Sequence, residues 1–237
     1  MRELYSNLEI LNPEKHKNLR ILPPKDFKYF RNLNSCVILV TEFFEAAKFY
    51  PIVFMRTPAE GLVPVIILGA EDNVFIDEKG KWKEGFYVPA FVRRYPFIFV
   101  EDKEINKQAG ERKLFVGIDK NYKGFGEEEG EKLFDDEGKE TSFLKDVVKF
   151  LLTYDRDFQL TKQFVDKLEK LELFQGIEAT VKTQDGKTVI IKNLLAVEEN
   201  KFNNLPNDKV VELFKKGFLG TIYAHLMSLT NFSKIVG

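Results

Sequence analysis

The stretch TSFLKDVVKFLLTYDRDFQLTKQFVDKLEKLELF, residues 141–174, separates a strand-like half of the chain from a helical half. Apolar residues recur in it at helical spacing, and Thr141 is a suitable N-cap for a helix whose apolar positions run from 143 to 152. A second helix is predicted from about 161 to 174, where Phe164, Val165 and Leu168 share one face. This stretch therefore predicts a helix pair.

The residues before this stretch favour antiparallel β-structure with short inserted helices. Thr41 is a candidate N-cap for a short helix that Pro51 would end. Short apolar runs bounded by turn residues predict five strands, at residues 52–55, 64–68, 73–76, 97–100 and 113–118.

The residues after this stretch predict a β-hairpin and two terminal helices. The hairpin joins two strand-like runs through a turn at Asp185 and Gly186. Helices are expected from about 207 to 216 and from 218 to 229, and the last is apolar enough to be largely buried. The predicted class is α+β.

Two domain arrangements fit this order of elements. One has a β-rich lobe at residues 1–140 and a helical lobe with a hairpin at residues 141–237. The other is one continuous domain, since the chain is short enough for a single core.

Composition excludes several classes of function. Lys and Arg number 36 and Asp and Glu 37, so the formal charge is −1, which argues against broad attraction to nucleic acid or anionic membrane. One Cys and two His exclude a disulfide within the chain, a multi-cysteine metal site and a three-histidine site. No nucleotide-binding glycine motif occurs, and we expect no cofactor and no metal.

Hydropathy argues against insertion into a membrane. The longest apolar runs fall short of the roughly 20 residues that a spanning helix needs. The first residues lack the continuous apolar segment of a secretory signal. The lone Cys36 is typical of a reducing compartment, so we expect a cytoplasmic protein.

The most distinctive segment is WKEGFYVPAFVRRYPF, residues 82–97, in which aromatic residues surround Arg93 and Arg94. A short helix can begin within it, and adjacent arginines on a helix can converge on one anion. With Tyr87 and Tyr95, the arginines are candidate binding residues for a carboxylate or phosphate. The alternative is that the arginines form ion pairs that hold two lobes together.

An acidic run, EEEGEKLFDDEGKE at residues 127–140, contains candidate partners for these arginines. Eight acids against two Lys give the run a charge of −6. Asp135 and Asp136 follow an apolar pair, and we assign them to the candidate site with the arginines. Residues 127–131 are expected to form a solvated loop. For Asp135 and Asp136 the alternative is binding of a hard cation such as magnesium or calcium, although the spacing does not match an EF-hand calcium loop.

No motif identifies catalytic residues. The chain has no Gly-X-Ser-X-Gly elbow, and Cys36 precedes an apolar run in which a buried, inert thiol is expected. His225 lies in an apolar helix and is predicted to bond core groups, whereas His16 lies between two lysines and is predicted to be exposed. Asp119 ends a predicted strand. It is a candidate catalytic acid only because carboxylates at strand ends often have that role.

Four segments carry a family resemblance. They are VPVIILG at 63–69, YVPAFVRRYPF at 87–97, LFDDEGKET at 133–141 and IYAHLMSLTNF at 222–232. In order and spacing they resemble the SapC family of bacterial proteins over nearly the whole chain. This family takes its name from a surface-layer gene locus, and the resemblance carries over no catalytic residues.

Three functions follow as hypotheses. The resemblance, without a catalytic constellation, favours a non-catalytic accessory factor of a surface or export system that binds a protein or peptide partner. One alternative is an enzyme or small-anion-binding protein with its site at Arg93 and Arg94. The other is a structural subunit of a surface layer, which would have to be exported.

Overall fold

The computed structural model describes residues 4–101, 112–183 and 187–235. Helices occur there together with antiparallel strands, and the predicted α+β class is confirmed. The strands are β1 (Leu8–Ile10), β2 (Arg20–Ile21), β3 (Ser35–Val37), β4 (Ile52–Thr57), β5 (Gly61–Ile67), β6 (Phe97–Glu101), β7 (Leu114–Asp119), β8 (Phe125–Gly126), β9 (Glu131–Lys132), β10 (Phe174–Lys182) and β11 (Thr188–Val197). The α-helices are α1 (Phe43–Ala46), α2 (Ala90–Arg93), α3 (Ser142–Lys170), α4 (Glu199–Asn203), α5 (Asn207–Lys215) and α6 (Phe218–Ser228), and 3₁₀ turns cover Lys28–Phe30, Val40–Glu42 and Leu229–Lys234.

Proximity of Cα positions groups the chain into two units, each assembled from separate stretches. The larger unit contains residues 27–91 and 157–237, and the smaller unit contains residues 2–26 and 92–156. Two of the boundaries therefore fall inside α2 and α3, and the third lies between residues 26 and 27. This grouping differs from the predicted division into a lobe of residues 1–140 and a lobe of residues 141–237. That division stays a prediction.

A five-stranded antiparallel sheet is the framework of the larger unit, in the order β10-β11-β4-β5-β3. After Gly61, all six remaining residues of β5 are buried, which its continuous apolar sequence makes possible. The Phe164 ring packs in the core of this unit, with centroids 5.8 Å from Phe43 and 5.1 Å from Phe218. Much of the chain's high Phe content is therefore used in packing.

The smaller unit contains two three-stranded antiparallel sheets, ordered β1-β7-β6 and β8-β2-β9. In the first sheet, Ile118 of β7 lies opposite Glu9 of β1 and Phe97 of β6. Residues that are directly opposite project from the same face of a sheet, so these three side chains share one face. The Phe97 ring lies 6.2 Å from that of Phe125, which covers part of this face.

The predicted helix pair is wrong, because α3 is one helix of 29 residues. No Gly or Pro interrupts residues 152–161. Leu151, Tyr154 and Thr161 are all buried, so the inward face continues through the expected break at helical spacing. The polar residues between the two apolar runs therefore belong to the exposed face of one helix and do not form a loop between two helices.

Two local predictions in the β-rich half are also wrong. Residues 73–76 form a turn with an isolated bridge from Ile76 to Trp82, and the Asn73 side chain accepts the Phe75 N–H at 2.9 Å. Thr41 does not cap a helix, because its hydroxyl donates to the Asp157 carboxylate at 3.1 Å. The Asn73 side chain therefore holds a turn. Thr41 lies within the 3₁₀ turn Val40–Glu42 that precedes α1.

The predicted C-terminal elements are present. β10 and β11 form the hairpin, and α5 and α6 are the terminal helices. The predicted turn residues Asp185 and Gly186 lie outside the described residues. Gly217, between α5 and α6, has φ +73°, a left-handed conformation that glycine adopts without strain.

Candidate functional site

Aromatic rings hold the two candidate arginines. Arg93 is the last residue of α2, and its guanidinium carbon lies 5.5 Å from the centroid of the Phe150 ring. The guanidinium carbon of Arg94 lies 4.4 Å from the Tyr154 ring and 5.6 Å from the Tyr5 ring. A guanidinium over an aromatic face is attracted by the ring quadrupole, so these contacts tie the Arg pair to α3 and to the N-terminal segment.

A buried carboxylate organises the residues next to Arg94. Asp119 is 2% exposed and ends β7. Its oxygens accept the Tyr5 N–H at 2.9 Å, the Asn121 N–H at 3.0 Å and the Tyr95 hydroxyl at 3.3 Å. Three donors satisfy most of the capacity of one carboxylate, so this arrangement suits fastening of segments better than proton transfer.

Tyr5 completes this Asp119 cluster. Its hydroxyl donates to the Phe97 carbonyl at 3.1 Å, and its ring lies edge-on to Tyr95 with centroids 5.6 Å apart. Burial raises the pKa of Tyr5 to about 12, although the Arg94 guanidinium acts in the opposite direction. The phenol therefore remains a hydrogen-bond donor at neutral pH.

Tyr87 belongs to the larger unit, where a buried glutamate holds it. Its hydroxyl donates to Glu42 Oε1 at 2.6 Å, and the same oxygen accepts the Ala90 N–H at 2.8 Å. Glu42 Oε2 accepts the Leu39 N–H at 3.0 Å. The Tyr87 carbonyl accepts the Tyr50 hydroxyl at 2.6 Å. Tyr87 is thus part of a network that fixes the segment leading into α2.

Asp135 and Asp136 lie in a turn of their own in the smaller unit. Asp135 Oδ1 accepts the N–H of Glu137 at 2.9 Å and that of Lys139 at 2.8 Å. Asp136 pairs with Lys132 at 2.8 Å, and that bond lowers its pKa. The hydrogen bonds of both carboxylates are therefore local. Of the six predicted site residues, the structure groups Arg94 and Tyr95 around Tyr5 and Asp119.

The two histidines lie in different environments. His225 is fully buried, as predicted, and its ring bonds the backbone of β4 and β11. His16 is 7% exposed, so the prediction that it is exposed is wrong. Flanking lysines indicated a solvated position, but the side chain between them turns inward toward Glu9 of β1. Cys36 is buried, as predicted.

An exposed apolar surface on α1 and α6 was not predicted. Phe44 is 58% exposed, Tyr223 55% and Met227 57%. A Cβ on Gly220 would lie 3.1 Å from the Phe44 ring, so α1 packs closely against α6 at this glycine. Positions 220, 223 and 227 share one helical face. We call Phe44, Gly220, Tyr223 and Met227 the α1–α6 apolar surface.

The sequence of α6 explains why this surface was missed. The helix contains no Asp, Glu, Lys or Arg, and an apolar helix without charges is normally buried all round. His225, Ile222 and Ala224 do face the core, and Phe202 packs edge-on against Tyr223 at 5.4 Å. The exposed side chains of α6 lie on its remaining face. Because apolar residues occur on every face of this helix, their spacing does not show which face is exposed.

Neither a metal site nor a membrane span was found in the described part of the chain. Within residues 4–101, 112–183 and 187–235, His, Cys, Asp and Glu side chains form no group of three that could hold a metal ion. No helix among those described is both long and apolar enough to cross a membrane.

Fold and site together define an α+β protein whose polar clusters fasten its segments and whose apolar helical surface stays exposed. The SapC family model matches residues 11–235. The chain therefore belongs to the SapC family. No curated protein and no solved structure gave a significant match.

Proposed function

We propose that this SapC-family protein is a non-catalytic binding protein that docks a protein or peptide partner and supports a surface or export system. The α1–α6 apolar surface is the observation that carries the proposal. Single exposed apolar residues are common on proteins, but contiguous apolar patches mark interaction sites. Here three large side chains, each more than half exposed, flank a close helix contact without a charged residue on α6.

The energetics favour an apolar partner segment. Fully burying a large apolar side chain contributes about 1.5–3 kcal/mol, so burying the exposed halves of Phe44, Tyr223 and Met227 contributes on the order of 3 kcal/mol. Aromatic side chains at the centre of an interface commonly supply most of its affinity. The surface therefore suits an amphipathic segment of a partner.

An enzyme or small-anion-binding protein at Arg93 and Arg94 has less support. The guanidinium of Arg94 stacks on Tyr154, and the carboxylates of Asp135 and Asp136 bond within their own turn. Contacts of this kind hold segments of the chain together, which is a structural role.

The proposal predicts loss of partner capture when the surface becomes charged. The tagged full-length protein would be compared with Phe44→Asp/Met227→Asp and with Leu152→Asp, whose side chain is 53% exposed on α3. Cross-linking in the native cell extract should give a product with wild type and Leu152→Asp that falls at least about tenfold with the double variant, since a buried unpaired charge costs several kcal/mol.

Equal capture by all three proteins would contradict the proposal, as would a wild-type protein that captures nothing. Circular dichroism would confirm that the variants are folded. We further propose a cytoplasmic location, which fractionation tests directly. Recovery on the cell surface would instead favour the surface-layer subunit.

A further inference from the structure

A cavity of about 270 Å³ lies within the smaller unit. Its floor is the face of β1 and β7 that carries Glu9 and Ile118, which lie opposite each other. Lys120, just beyond the end of β7, joins this floor through its contact with Glu9. The loop of residues 14–19 and Phe125 form its walls. The cavity is slightly smaller than the roughly 300–1,000 Å³ typical of drug-sized ligands.

Three nitrogen-bearing side chains converge on Glu9 in this cavity. Lys15 donates to Oε1 of Glu9, and Lys120 Nζ lies 2.9 Å from Oε2. His16 Nε2 lies 3.6 Å from Oε1. The hydrogen bonds from the two lysines lower the pKa of Glu9 to about 2, so this carboxylate is ionised at neutral pH.

A backbone hydrogen bond orients the His16 ring. His16 Nδ1 lies 3.0 Å from the Asn12 backbone nitrogen and 3.1 Å from the Asn12 carbonyl oxygen, so Asn12 fixes the orientation of the ring. Nε2 therefore points toward Glu9 and the cavity, and His16 is 7% exposed. A histidine ring nitrogen that carries a proton can donate to an anionic ligand from this position.

The lysines retain donors for such a ligand. Each ammonium has three N–H donors, and Glu9 uses one from Lys15 and one from Lys120. Lys17 also lines the cavity. The whole lining has three lysines and three glutamates and so no net formal charge, but around Glu9 itself two ammonium groups, those of Lys15 and Lys120, face one carboxylate.

Part of the remaining wall is apolar. Leu19, Ile118 and Phe125 line the cavity beside these donors. We propose that the cavity binds a small organic anion, with a carboxylate or phosphate head among Lys15, Lys120 and His16 and an apolar body against these walls.

A cationic ligand fits less well. It would compete for Glu9 with Lys15 and Lys120, which already bond both oxygens of that carboxylate. All cavity residues belong to the smaller unit, whereas the α1–α6 apolar surface belongs to the larger one. The anion site therefore stands independently of partner docking.

The two histidines provide a direct test. His16 lies at the cavity and His225 lies buried in the larger unit, so a ¹³C-labelled full-length protein has one reporter and one internal reference. Benzoate, phenyl phosphate, acetate and benzylamine would each be titrated into the millimolar range. Benzoate or phenyl phosphate should shift the His16 ring signal saturably and leave His225 unchanged, and the stronger of the two identifies the head group.

Three results would overturn the proposal. They are no response of His16 to either aromatic anion, a stronger response to benzylamine, and acetate binding as tight as benzoate. The last would show that the apolar walls contribute nothing.

Variants test the assignment of the donors. Lys120→Gln should weaken binding of the better anion about tenfold or more, because a hydrogen bond to a charged group contributes about 1.5–3 kcal/mol. Lys145→Gln, an exposed position on α3, should leave it unchanged. An unchanged His225 signal would report that each variant is folded. Equal affinity of the two variants would refute the site.

Discussion

His225 lies in the core of the larger unit with both ring nitrogens bonded to backbone. Nε2 accepts the Val197 N–H at 3.0 Å, so Nδ1 carries the proton and donates to the Ile52 carbonyl at 2.8 Å. Burial lowers the pKa of His225 from 6.5 to about 4. His225 is therefore uncharged in the folded protein at neutral pH.

This residue makes folding stability depend on pH. Between pH 6.5 and pH 4 the unfolded chain binds a proton at His225 and the folded chain does not, so the free energy of unfolding falls as pH falls. From pH 7 to pH 5 the expected loss is about 2 kcal/mol, measured by urea denaturation. His225→Asn should be less stable at pH 7 and lose most of this pH dependence. An unchanged slope in the variant would show that other groups cause it.

At the scale of single elements, α3 begins at a side-chain cap. The Leu144 N–H donates to Thr141 Oγ1 at 3.3 Å, and the Thr141 hydroxyl donates to the Lys132 carbonyl at 2.7 Å. The same residue therefore starts the helix and fastens it to β9. The sequence predicted this cap correctly, because an N-cap is a local hydrogen bond.

Removal of the cap has a predictable cost. Thr141→Ala should lower the free energy of unfolding by about 1–2 kcal/mol, as measured by chemical denaturation. Thr153→Ala is the matched control, because Thr153 is exposed within α3 and its hydroxyl bonds the Lys149 carbonyl of the preceding turn. This control should change stability by less than about 0.5 kcal/mol. A similar loss in both variants would argue that the cap contributes nothing specific.

At the scale of the whole molecule, α3 contributes residues to both units. Residues 142–156 belong to the smaller unit and residues 157–170 to the larger. Helix formation is cooperative along the chain, so loss of one half of a helix weakens the other. We therefore expect the two units to unfold together.

Two probes test this cooperativity. Trp82 is the single Trp of the chain and is buried in the larger unit, and His16 is buried in the smaller. Trp82 fluorescence and the His16 ring signal should give the same midpoint in a urea titration. Separate midpoints would show that the units unfold independently and that α3 does not couple them.

Several features of the candidate site could be predicted from sequence and others could not. The short helix before the Arg pair and the buried His225 followed from local sequence, and the structure has both. The grouping of the Arg pair with Asp135 and Asp136 rested on charge complementarity. Charge complementarity does not specify distance, and the bonding partners of those carboxylates lie within four residues of them in sequence. Tyr5 and Asp119, which do surround Arg94 and Tyr95, are 114 residues apart and share no motif.

Amino-acid order alone was sufficient for the α+β class, the family and most of the helices and strands, because periodicity, capping and turn chemistry act over a few residues. The continuity of α3, the inward turn of His16 and the exposure of Phe44, Tyr223 and Met227 depended on folding. Burial of each of these side chains is set by segments distant in sequence, and periodicity cannot say which apolar face will find a partner within the chain. The two proposed binding regions, the α1–α6 apolar surface and the cavity beside Glu9, are therefore products of the tertiary structure.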